Sequence, residues 1–409
     1  MIRKTSLIFF AIAAVFLFDS CKSKKETDIK KDTYLIMLSM DGFRWDYADR
    51  VETPNLDYIA QNGVKAEYIY PAFPTKTFPN HYTMATGLYP DNHGIVDNNF
   101  YCPELDAVYR LGDRESIMNG DFYGGEPIWV TAEKQNMTSA SFFWVGSEAP
   151  VQGIQPTYWK EYDYSIPFED RIDTVIQWLQ LPGELRPQLI TFYFNEPDRS
   201  GHLFGPNDPG IDSVVMRLDS LVGDLITKLN QLPEEYKINL IVTSDHGMTE
   251  LSTERYVDMT EYVDRDWFER THGGNPVLNL KPREEYADTI YNILKTVENI
   301  SVWRSNEIPG RFNYGSNPRV MDMIVLADST WSVGWGEPTG SYYQGGGHGW
   351  DHEKQDMLTV FYATGPAFKE NHLHQPFSVV DIYPLIAHIL GLEPAEVDGK
   401  LENTIEMLK

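Results

Sequence analysis

The chain has 409 residues, of which 42% are hydrophobic and 23% charged, so it can bury a large core and shows no sign of bulk disorder. Its formal net charge is −26, and such an acidic surface repels polyanions, which argues against binding to bulk nucleic acid. A substrate that carries phosphate would need local positive charge, and bound divalent cations can supply it.

The N-terminus predicts export. After a positively charged start, the apolar run Leu7–Phe18 is too short to span a bilayer stably. A small residue and then Cys21 follow, which resembles a bacterial lipoprotein cleavage box, although Asp19 departs from the usual pattern. We therefore predict a lipoprotein-type signal peptide over residues 1–21 and a charged, flexible tether over residues 22–32. The alternatives are a plain secretory signal or a single anchor helix.

The cysteines do not form a disulfide framework, although export would place the protein in an oxidising compartment. The sequence contains two, Cys21 and Cys102. If Cys21 carries lipid, Cys102 has no partner, so the fold is not expected to depend on disulfide bonds. The predicted location is the periplasm or cell envelope, with membrane contact through the lipid anchor only. The sequence does not indicate an oligomeric state.

Apolar runs typical of buried strands alternate with segments typical of helices along the rest of the chain. The predicted strands are Tyr34–Met40, Leu189–Phe194, Ile238–Ser244 and Thr359–Thr364. Apolar residues at helical spacing between Ile211 and Leu229 predict an amphipathic helix, and Pro167–Leu181 and Val379–Leu390 predict two more. This alternation indicates an α/β fold with a mostly parallel central sheet and helices on both faces.

Residues 33–409 are predicted to form one catalytic domain with a smaller inserted subdomain at about 251–345. The inserted segment is rich in turn signals, including Gly273-Gly274 and Pro309-Gly310. It is expected to contain its own helix around Glu284–Val297 and a small sheet. We expect it to shape the pocket for a leaving group.

Acidic residues and histidines follow three of the predicted strands. Asp41 follows the first, Asp198 and His202 follow the second, and Asp245 and His246 follow the third. Ligands in open α/β sheets bind at the carboxyl ends of the strands, so these five side chains are predicted to converge at one rim. Buried carboxylates that are crowded together repel one another unless they bind cations.

The types of side chain suggest which metals would bind. Aspartate oxygens combined with histidine nitrogens suit zinc, manganese or iron better than calcium. Asp198 and His202 are spaced to face the same way on a helical turn. His348, in a glycine-rich segment, is the candidate that completes two metal sites. Each pattern alone has a structural explanation, such as a turn, a helix cap or a surface pair, but their joint occurrence favours metal binding.

Thr77 is the candidate nucleophile. Pro79 is typical of the first turn of a helix, so Thr77 is expected at a helix N-terminus, where the dipole favours an anionic phosphate. Coordination to a metal would lower the pKa of its hydroxyl and activate it. The alternative is that Thr75 or Thr77 only caps the helix.

At these residues the sequence resembles the nucleotide pyrophosphatase/phosphodiesterase family of the alkaline phosphatase superfamily, in its compact bacterial form. The resemblance runs from about Thr33 to the C-terminus and implies an alkaline phosphatase-like fold. The matching stretches are Thr75–Gly94 (TKTFPNHYTMATGLYPDNHG), Gly124–Trp129 (GGEPIW), Glu196–Pro206 (EPDRSGHLFGP), Thr243–Met248 (TSDHGM) and Gly347–Asp351 (GHGWD).

The resemblance also implies a role for each site residue. It places one metal ion, usually zinc in this family, on Asp198, His202 and His348, and a second on Asp41, Thr77, Asp245 and His246. It makes Thr77 the nucleophile. It also implies that Asn98, together with the backbone N–H after the nucleophile, holds a non-bridging phosphoryl oxygen. Phe78 and Tyr162 match the aromatic positions that sandwich a nucleobase. Asn195 stands where glutamate is common, beside the site.

The implied activity is hydrolysis of phosphodiester or pyrophosphate bonds in small nucleotide substrates. It would proceed through a phosphothreonine and release nucleoside 5'-monophosphates. One alternative is a threonine-dependent phosphomonoesterase, for which Lys160 is a candidate cation. A second is a choline-phosphodiester or lysolipid hydrolase on the same metal core, and a third is an inactive binding protein. The complete set of ligands argues against the last.

Overall fold

A computed structural model describes residues 32–339 and 343–409. The predicted signal peptide, the lipidation site Cys21 and all but the last residue of the predicted tether lie outside the described residues. No helix within those two ranges combines the length and apolar character needed to cross a bilayer.

The chain forms short strands and helices in alternation. The strands are β1 (Thr33–Met40), β2 (Gly63–Ala66), β3 (Ile69–Tyr70), β4 (Asn99–Cys102), β5 (Ala107–Arg110), β6 (Ser139–Phe142), β7 (Tyr158–Lys160), β8 (Leu189–Phe194), β9 (Lys237–Thr243), β10 (Thr249–Glu250), β11 (Tyr256–Asp258), β12 (Phe268–Gly274), β13 (Val277–Pro282), β14 (Ile300–Arg304), β15 (Met323–Ala327), β16 (Ser332–Gly334), β17 (Gly346–Gly347), β18 (Phe361–Thr364), β19 (His372–His374) and β20 (Phe377–Ser378). The α-helices are α1 (Pro54–Gln61), α2 (Thr77–Thr86), α3 (Pro90–His93), α4 (Arg114–Met118), α5 (Ile128–Lys134), α6 (Phe168–Leu179), α7 (Asp198–Phe204), α8 (Pro209–Leu229), α9 (Ala287–Leu294) and α10 (Ile382–Leu390).

The central sheet has eight strands in the order β19-β2-β18-β9-β1-β8-β6-β7. Strand β1 lies in the middle and pairs in parallel with β8 and with β9. The fold prediction is therefore confirmed. The fourth predicted strand, β18, differs in direction, because it runs antiparallel to both β9 and β2.

Helices cover both faces of the sheet, which explains why the sequence of β1 is largely apolar. Leu35 and Met37 belong to the core on one face, which also holds residues of α2, α5 and α10. Ile36 and Leu38 belong to the core on the other face, with residues of α1, α6 and α8. A strand that is buried on both faces favours apolar side chains, and the buried hydroxyl of Ser39 near the rim is hydrogen-bonded to His81.

A second sheet lies within the segment that the sequence predicts to be inserted. Its four strands are antiparallel in the order β12-β13-β15-β14. One face packs with α9 in a separate apolar core, while Val277 and Ile324 on the other face join the main core. The helix is shorter than expected, because α9 covers Ala287–Leu294 and a single 3-10 turn precedes it. The boundaries at 251 and 345 stay predictions.

Candidate active site

The carboxyl ends of three neighbouring strands bring the predicted ligands together. Asp41 follows β1, Asp198 starts α7 just after β8, and Asp245 and His246 follow β9. The turn after β1 fits closely between its neighbours. The backbone N–H of Gly42 donates to Asp245 Oδ1 at 3.1 Å, and a Cβ on Gly42 would lie 2.9 Å from the Cα of Asp198. Because its φ is also +69°, this position requires glycine.

The first group of candidate ligands is Asp198, His202 and His348. Asp198 and His202 lie one turn apart on α7, and Nε2 of His202 is 3.3 Å from Asp198 Oδ1. His348 arrives from a distant part of the chain, and its Nε2 lies 3.5 Å from Asp198 Oδ1 and 3.2 Å from His202 Nε2. The glycines before His348 permit this approach, since a Cβ on Gly346 would lie 2.6 Å from the carbonyl oxygen of Gly201.

The second group is Asp41, Asp245 and His246, and all three side chains are buried. His246 Nε2 lies 3.4 Å from Asp41 Oδ1 and 3.1 Å from Asp245 Oδ2. The two groups adjoin one another, because the rings of His246 and His348 stack with their centroids 3.6 Å apart.

Backbone carbonyls fix the protonation of all three histidines. Nδ1 of His202 donates to Gly346 O at 2.8 Å, Nδ1 of His348 to Thr75 O at 2.9 Å, and Nδ1 of His246 to Gly247 O at 2.9 Å. A carbonyl oxygen can only accept, so the proton of the neutral ring is on Nδ1. Each Nε2 then presents a lone pair to the site, which is the arrangement that metal-binding histidines use.

Three buried carboxylate oxygens show that the side chains of the site fit metal ions. Asp41 Oδ1, Asp198 Oδ1 and Asp245 Oδ2 are buried and have no hydrogen-bond partner among the residues that the structure describes, and each faces one of the Nε2 atoms. Burial, together with the charges of Asp245 and Asp198, raises the pKa of Asp41 well above its ordinary value. Burial opposes the charge on Asp245, but His246 and His81 outweigh it and lower the pKa of Asp245. Divalent cations on both groups would satisfy these oxygens, so the side chains fit such ions.

Thr77 is the first residue of α2, and its hydroxyl lies 3.2 Å from His246 Nε2. The hydroxyl is thus beside the second group of ligands, at a helix N-terminus that favours anions. The environment of Thr77 differs from that of Thr75, which the sequence analysis considered as a possible helix cap. Thr75 is buried, and its hydroxyl donates to Trp350 O at 3.0 Å.

Asn98 lies next to the start of α2. Its Oδ1 accepts a hydrogen bond of 3.0 Å from the backbone N–H of Phe78. That N–H was expected to hold a phosphoryl oxygen together with Asn98, but here Asn98 itself engages it. The amide NH₂ of Asn98 remains as the group that can donate to a phosphoryl oxygen.

An aromatic cavity of about 320 Å³ opens beside these residues. Phe78 and Tyr162 both line it, together with Phe143 and Trp144. Tyr162 is 44% exposed and packs edge-on against Phe143, with ring centroids 5.1 Å apart. The predicted aromatic pair is therefore in one cavity, and that cavity reaches both Thr77 and the first group of ligands.

A family model described as type I phosphodiesterase / nucleotide pyrophosphatase matches residues 35–351. The chain belongs to this family. The match spans all the candidate ligands as well as Thr77 and Asn98, so the site described above lies within the part of the chain that carries the family resemblance.

Curated relatives and solved structures support the same family assignment. Human ectonucleotide pyrophosphatase/phosphodiesterase family member 5 is 33% identical over 100% of this chain and 84% of its own. The venom phosphodiesterase of Crotalus durissus collilineatus is 36% identical over 96% of this chain, which spans only 49% of that protein. The structure of murine ectonucleotide pyrophosphatase/phosphodiesterase 5 superposes with a TM-score of 0.88 at 34% identity, and the match covers 92% of this chain and 100% of that one.

Sequence reasoning missed several residues of this candidate site. The phenol of Tyr193 donates a short hydrogen bond to Asp41 Oδ2. His81 contacts Asp245. Its Nδ1 lies 2.9 Å from Thr77 O and 3.3 Å from Asp245 Oδ2. The helical spacing of His81 and Thr77 offered a signal for the histidine. Tyr193 offered none, because it lies inside an apolar strand.

A buried ion pair was also missed. Lys76 Nζ lies 2.7 Å from Asp97 Oδ2, and their side chains are only 7% and 2% exposed. The two residues immediately precede Thr77 and Asn98. The same ammonium donates to Gly274 O at 3.2 Å. The pair therefore joins the start of α2, the turn that carries Asn98 and the second sheet.

Proposed function

We propose that this protein is a metal-dependent phosphodiesterase and nucleotide pyrophosphatase that uses Thr77 as its nucleophile and releases nucleoside 5'-monophosphates. The observation that carries the proposal is the position of the Thr77 hydroxyl, 3.2 Å from His246 Nε2 and next to two groups of metal-type ligands. A threonine that only capped a helix would have no reason to lie beside unpaired buried carboxylates.

Asp198, His202 and His348 would hold one divalent ion, and Asp41, Asp245 and His246 would hold another with Thr77. Zinc fits the nitrogen and oxygen donors. When bound, such ions neutralise phosphoryl charge and lower the pKa of a coordinated hydroxyl. The unpaired oxygens of Asp41, Asp198 and Asp245 support this assignment.

Thr77 would act in two displacements at phosphorus. In the first, Thr77 Oγ1 loses its proton to solvent and bonds to phosphorus, while the bond from phosphorus to the leaving oxygen breaks. The leaving group departs with the electron pair and takes a proton from water. In the second, water attacks the phosphorus of the phosphothreonine and loses a proton to solvent, while the bond from phosphorus to the Thr77 oxygen breaks and that oxygen regains a proton. Asn98 would donate from its amide to the charge that develops on a non-bridging oxygen.

The aromatic cavity supports a nucleotide as the retained half of the substrate. Phe78 and Tyr162 line one cavity of about 320 Å³ that adjoins Thr77, which is suited to a stacked base. One of the similar structures is an inactive threonine-to-alanine variant of the murine relative in complex with AMP. It supports both a threonine nucleophile and a nucleoside monophosphate product.

A substrate panel tests the proposal. Purified, zinc-loaded protein is assayed with the p-nitrophenyl ester of thymidine 5'-monophosphate, with p-nitrophenyl phosphate and with glycerophosphocholine, each with and without a chelator. We expect the highest kcat/KM for the nucleotide diester and loss of activity with the chelator. A preference for the monoester or for the choline diester would instead support the corresponding alternative, and inactivity on all three would support a binding protein.

A further inference from the structure

The buried ion pair between Lys76 and Asp97 lies directly beside two residues that the proposed mechanism uses. Lys76 immediately precedes Thr77, and Asp97 immediately precedes Asn98. The Nζ of Lys76 lies 2.7 Å from Asp97 Oδ2, and both side chains are almost fully buried. Such a pair resists separation, because either charged group alone would be left buried without its partner. The pair therefore holds the start of α2 close to the turn that carries Asn98.

Asp97 also fixes the backbone on the far side of Asn98. Its Oδ2 accepts from Lys76, and its Oδ1 accepts a hydrogen bond of 3.4 Å from the backbone N–H of Asn99. An aspartate that accepts from the backbone two residues further on closes a local turn, and Asn98 is the residue inside this turn. Because Asn98 Oδ1 accepts from the Phe78 N–H at 3.0 Å, the amide NH₂ of Asn98 has a defined direction.

The second sheet anchors the same turn and the same lysine. The Lys76 ammonium donates to the carbonyl oxygen of Gly274, at the end of β12, at 3.2 Å. The phenol of Tyr314, between β14 and β15, donates to Val96 O at 3.1 Å and accepts from the side-chain amide of Asn279 on β13 at 3.1 Å. The start of α2 and the turn that carries Asn98 are thus attached to one sheet as well as to each other.

The ion pair is separate from the groups that would bind metal and base. Lys76 and Asp97 are not among the described residues that line the aromatic cavity, and neither belongs to a group of candidate metal ligands within residues 32–339 and 343–409. Removal of the pair should therefore leave the metal ligands and the aromatic cavity in place. Its effect should be confined to the alignment of Asn98 with Thr77.

We propose that Lys76 and Asp97 are positioning residues that align the Asn98 amide with the phosphoryl oxygen on which negative charge develops. A preorganised donor lowers the barrier only if it already points at that oxygen, and a displacement of about 1 Å can cost about 100-fold in rate. The pair acts through Asn98 and not by contact with the transferred phosphoryl group. This inference rests on the proposed function, because it assigns the support of the same phosphoryl site.

A cycle of variants tests whether the ion pair acts through Asn98. Lys76→Met/Asp97→Asn, Asn98→Ala and the triple variant are assayed with the p-nitrophenyl ester of thymidine 5'-monophosphate. We expect kcat to fall about 100-fold in Asn98→Ala and about tenfold in the double variant, with KM within about twofold of the wild type. In the triple variant, kcat should lie within about twofold of that of Asn98→Ala, because a donor that is absent cannot be misaligned.

Arg304→Met/Asp288→Asn is the matched control, since it removes an ion pair of 2.6 Å between β14 and α9. It should keep the wild-type kcat, and the zinc content of every variant is measured alongside. Losses that multiply in the triple variant would mean that the pair maintains the site in general, and unchanged kcat in the double variant would mean that it has no role in positioning. Either result overturns the inference while leaving the proposed function intact.

Two further measurements cover the remaining outcomes. If the double variant does not fold, Asp97→Glu replaces it, because glutamate keeps the charge but moves the carboxylate by one methylene group, and the same dependence on Asn98 is expected. If the wild type does not hydrolyse the ester, the proposed function fails, and calorimetric binding of AMP to the zinc-loaded variants decides the inference. Affinity for AMP should then fall about tenfold in Asn98→Ala and no further in the triple variant. Losses that add in the triple variant, or a wild type that does not bind AMP, would overturn it.

Discussion

The hydroxyl oxygen of Thr77 lies 3.2 Å from Nε2 of His246, although 169 positions separate the two residues in the chain. Thr77 is at the start of α2, and His246 is in the loop after β9. Their proximity depends on packing α2 against the carboxyl edge of the central sheet. The predictions that follow concern the residues that hold this arrangement together.

Removal of single ligands should remove single metal ions. We expect zinc-dialysed wild type to contain two ions per chain, His348→Ala to contain one, and His246→Ala/His348→Ala to contain none, because each histidine belongs to a different group of ligands. Elemental analysis after gel filtration measures the content. His372→Ala, at a partly buried position on β19, is the control. Equal loss in the control, or fewer than two ions in the wild type, would contradict the assignment.

Tyr193→Phe should weaken the site without unfolding the protein. The phenol donates to Asp41 Oδ2 and so leaves Oδ1 free to face the ligand group. Loss of such a supporting hydrogen bond costs about 10- to 100-fold in metal affinity or activity. The measurement is kcat/KM for the nucleotide diester as a function of zinc concentration, and added zinc should restore part of the loss. Tyr158→Phe, which removes a phenol that donates to the backbone carbonyl of Leu185, should behave as wild type, and equal effects of the two changes would refute the role of Tyr193.

Lys76→Met should destabilise the protein by about 3–5 kcal/mol, because it leaves the buried carboxylate of Asp97 without its partner. Urea unfolding followed by tryptophan fluorescence measures the change. The double variant Lys76→Met/Asp97→Asn removes both charges and should recover much of the loss. If the single and double variants are equally unstable, the ion pair is not the reason.

His93 should make stability depend on pH. The imidazole is fully buried, and its Nδ1 accepts from the backbone N–H of Ile95 at 3.1 Å, so a proton on Nδ1 would face another donor. Burial lowers the pKa of His93 from 6.5 to about 3. Between pH 6.5 and pH 3, His93 therefore binds a proton in the unfolded chain but not in the folded chain. The free energy of unfolding falls by about 1.4 kcal/mol per pH unit as the pH drops through this range.

The matched variant for this effect is His93→Gln, which cannot titrate. Urea midpoints are compared at pH 7.5 and pH 5. The loss of stability on acidification should be smaller in the variant by about 2 kcal/mol, whatever other groups contribute. An identical loss in both proteins would show that His93 takes up a proton in the folded state.

Much of the fold and of the ligand set was predictable because the information is local. A strand such as β1, buried on both faces, gives a near-continuous apolar run that ends at the rim of the sheet. The polar residue that follows, Asp41, could therefore be predicted to lie at that rim. The same reasoning located Asp198 and Asp245. His348 could be predicted as a ligand because glycines precede it, and a close approach between backbones favours glycine.

The rest could not be predicted because it depends on contacts between distant segments. In the sequence, Tyr193 looks like one more apolar residue of β8, and its phenol has a role only because Asp41 lies just after the neighbouring strand β1. Lys76 and Asp97 look like ordinary surface charges until α2 and the second sheet enclose them. The antiparallel direction of β18 was missed for the same reason, since the sequence of a buried strand is similar in either direction.

The most direct test of the Thr77 nucleophile is to trap the covalent enzyme. Zinc-loaded protein is mixed with the p-nitrophenyl ester of thymidine 5'-monophosphate, quenched in acid within the first turnovers, digested and analysed by mass spectrometry, with Thr77→Ala and Thr75→Ala in parallel. We predict a thymidylyl group on Thr77 of the wild type and of Thr75→Ala, and neither adduct nor turnover in Thr77→Ala. Wild-type turnover by Thr77→Ala, or an adduct on another residue, would contradict the proposed mechanism.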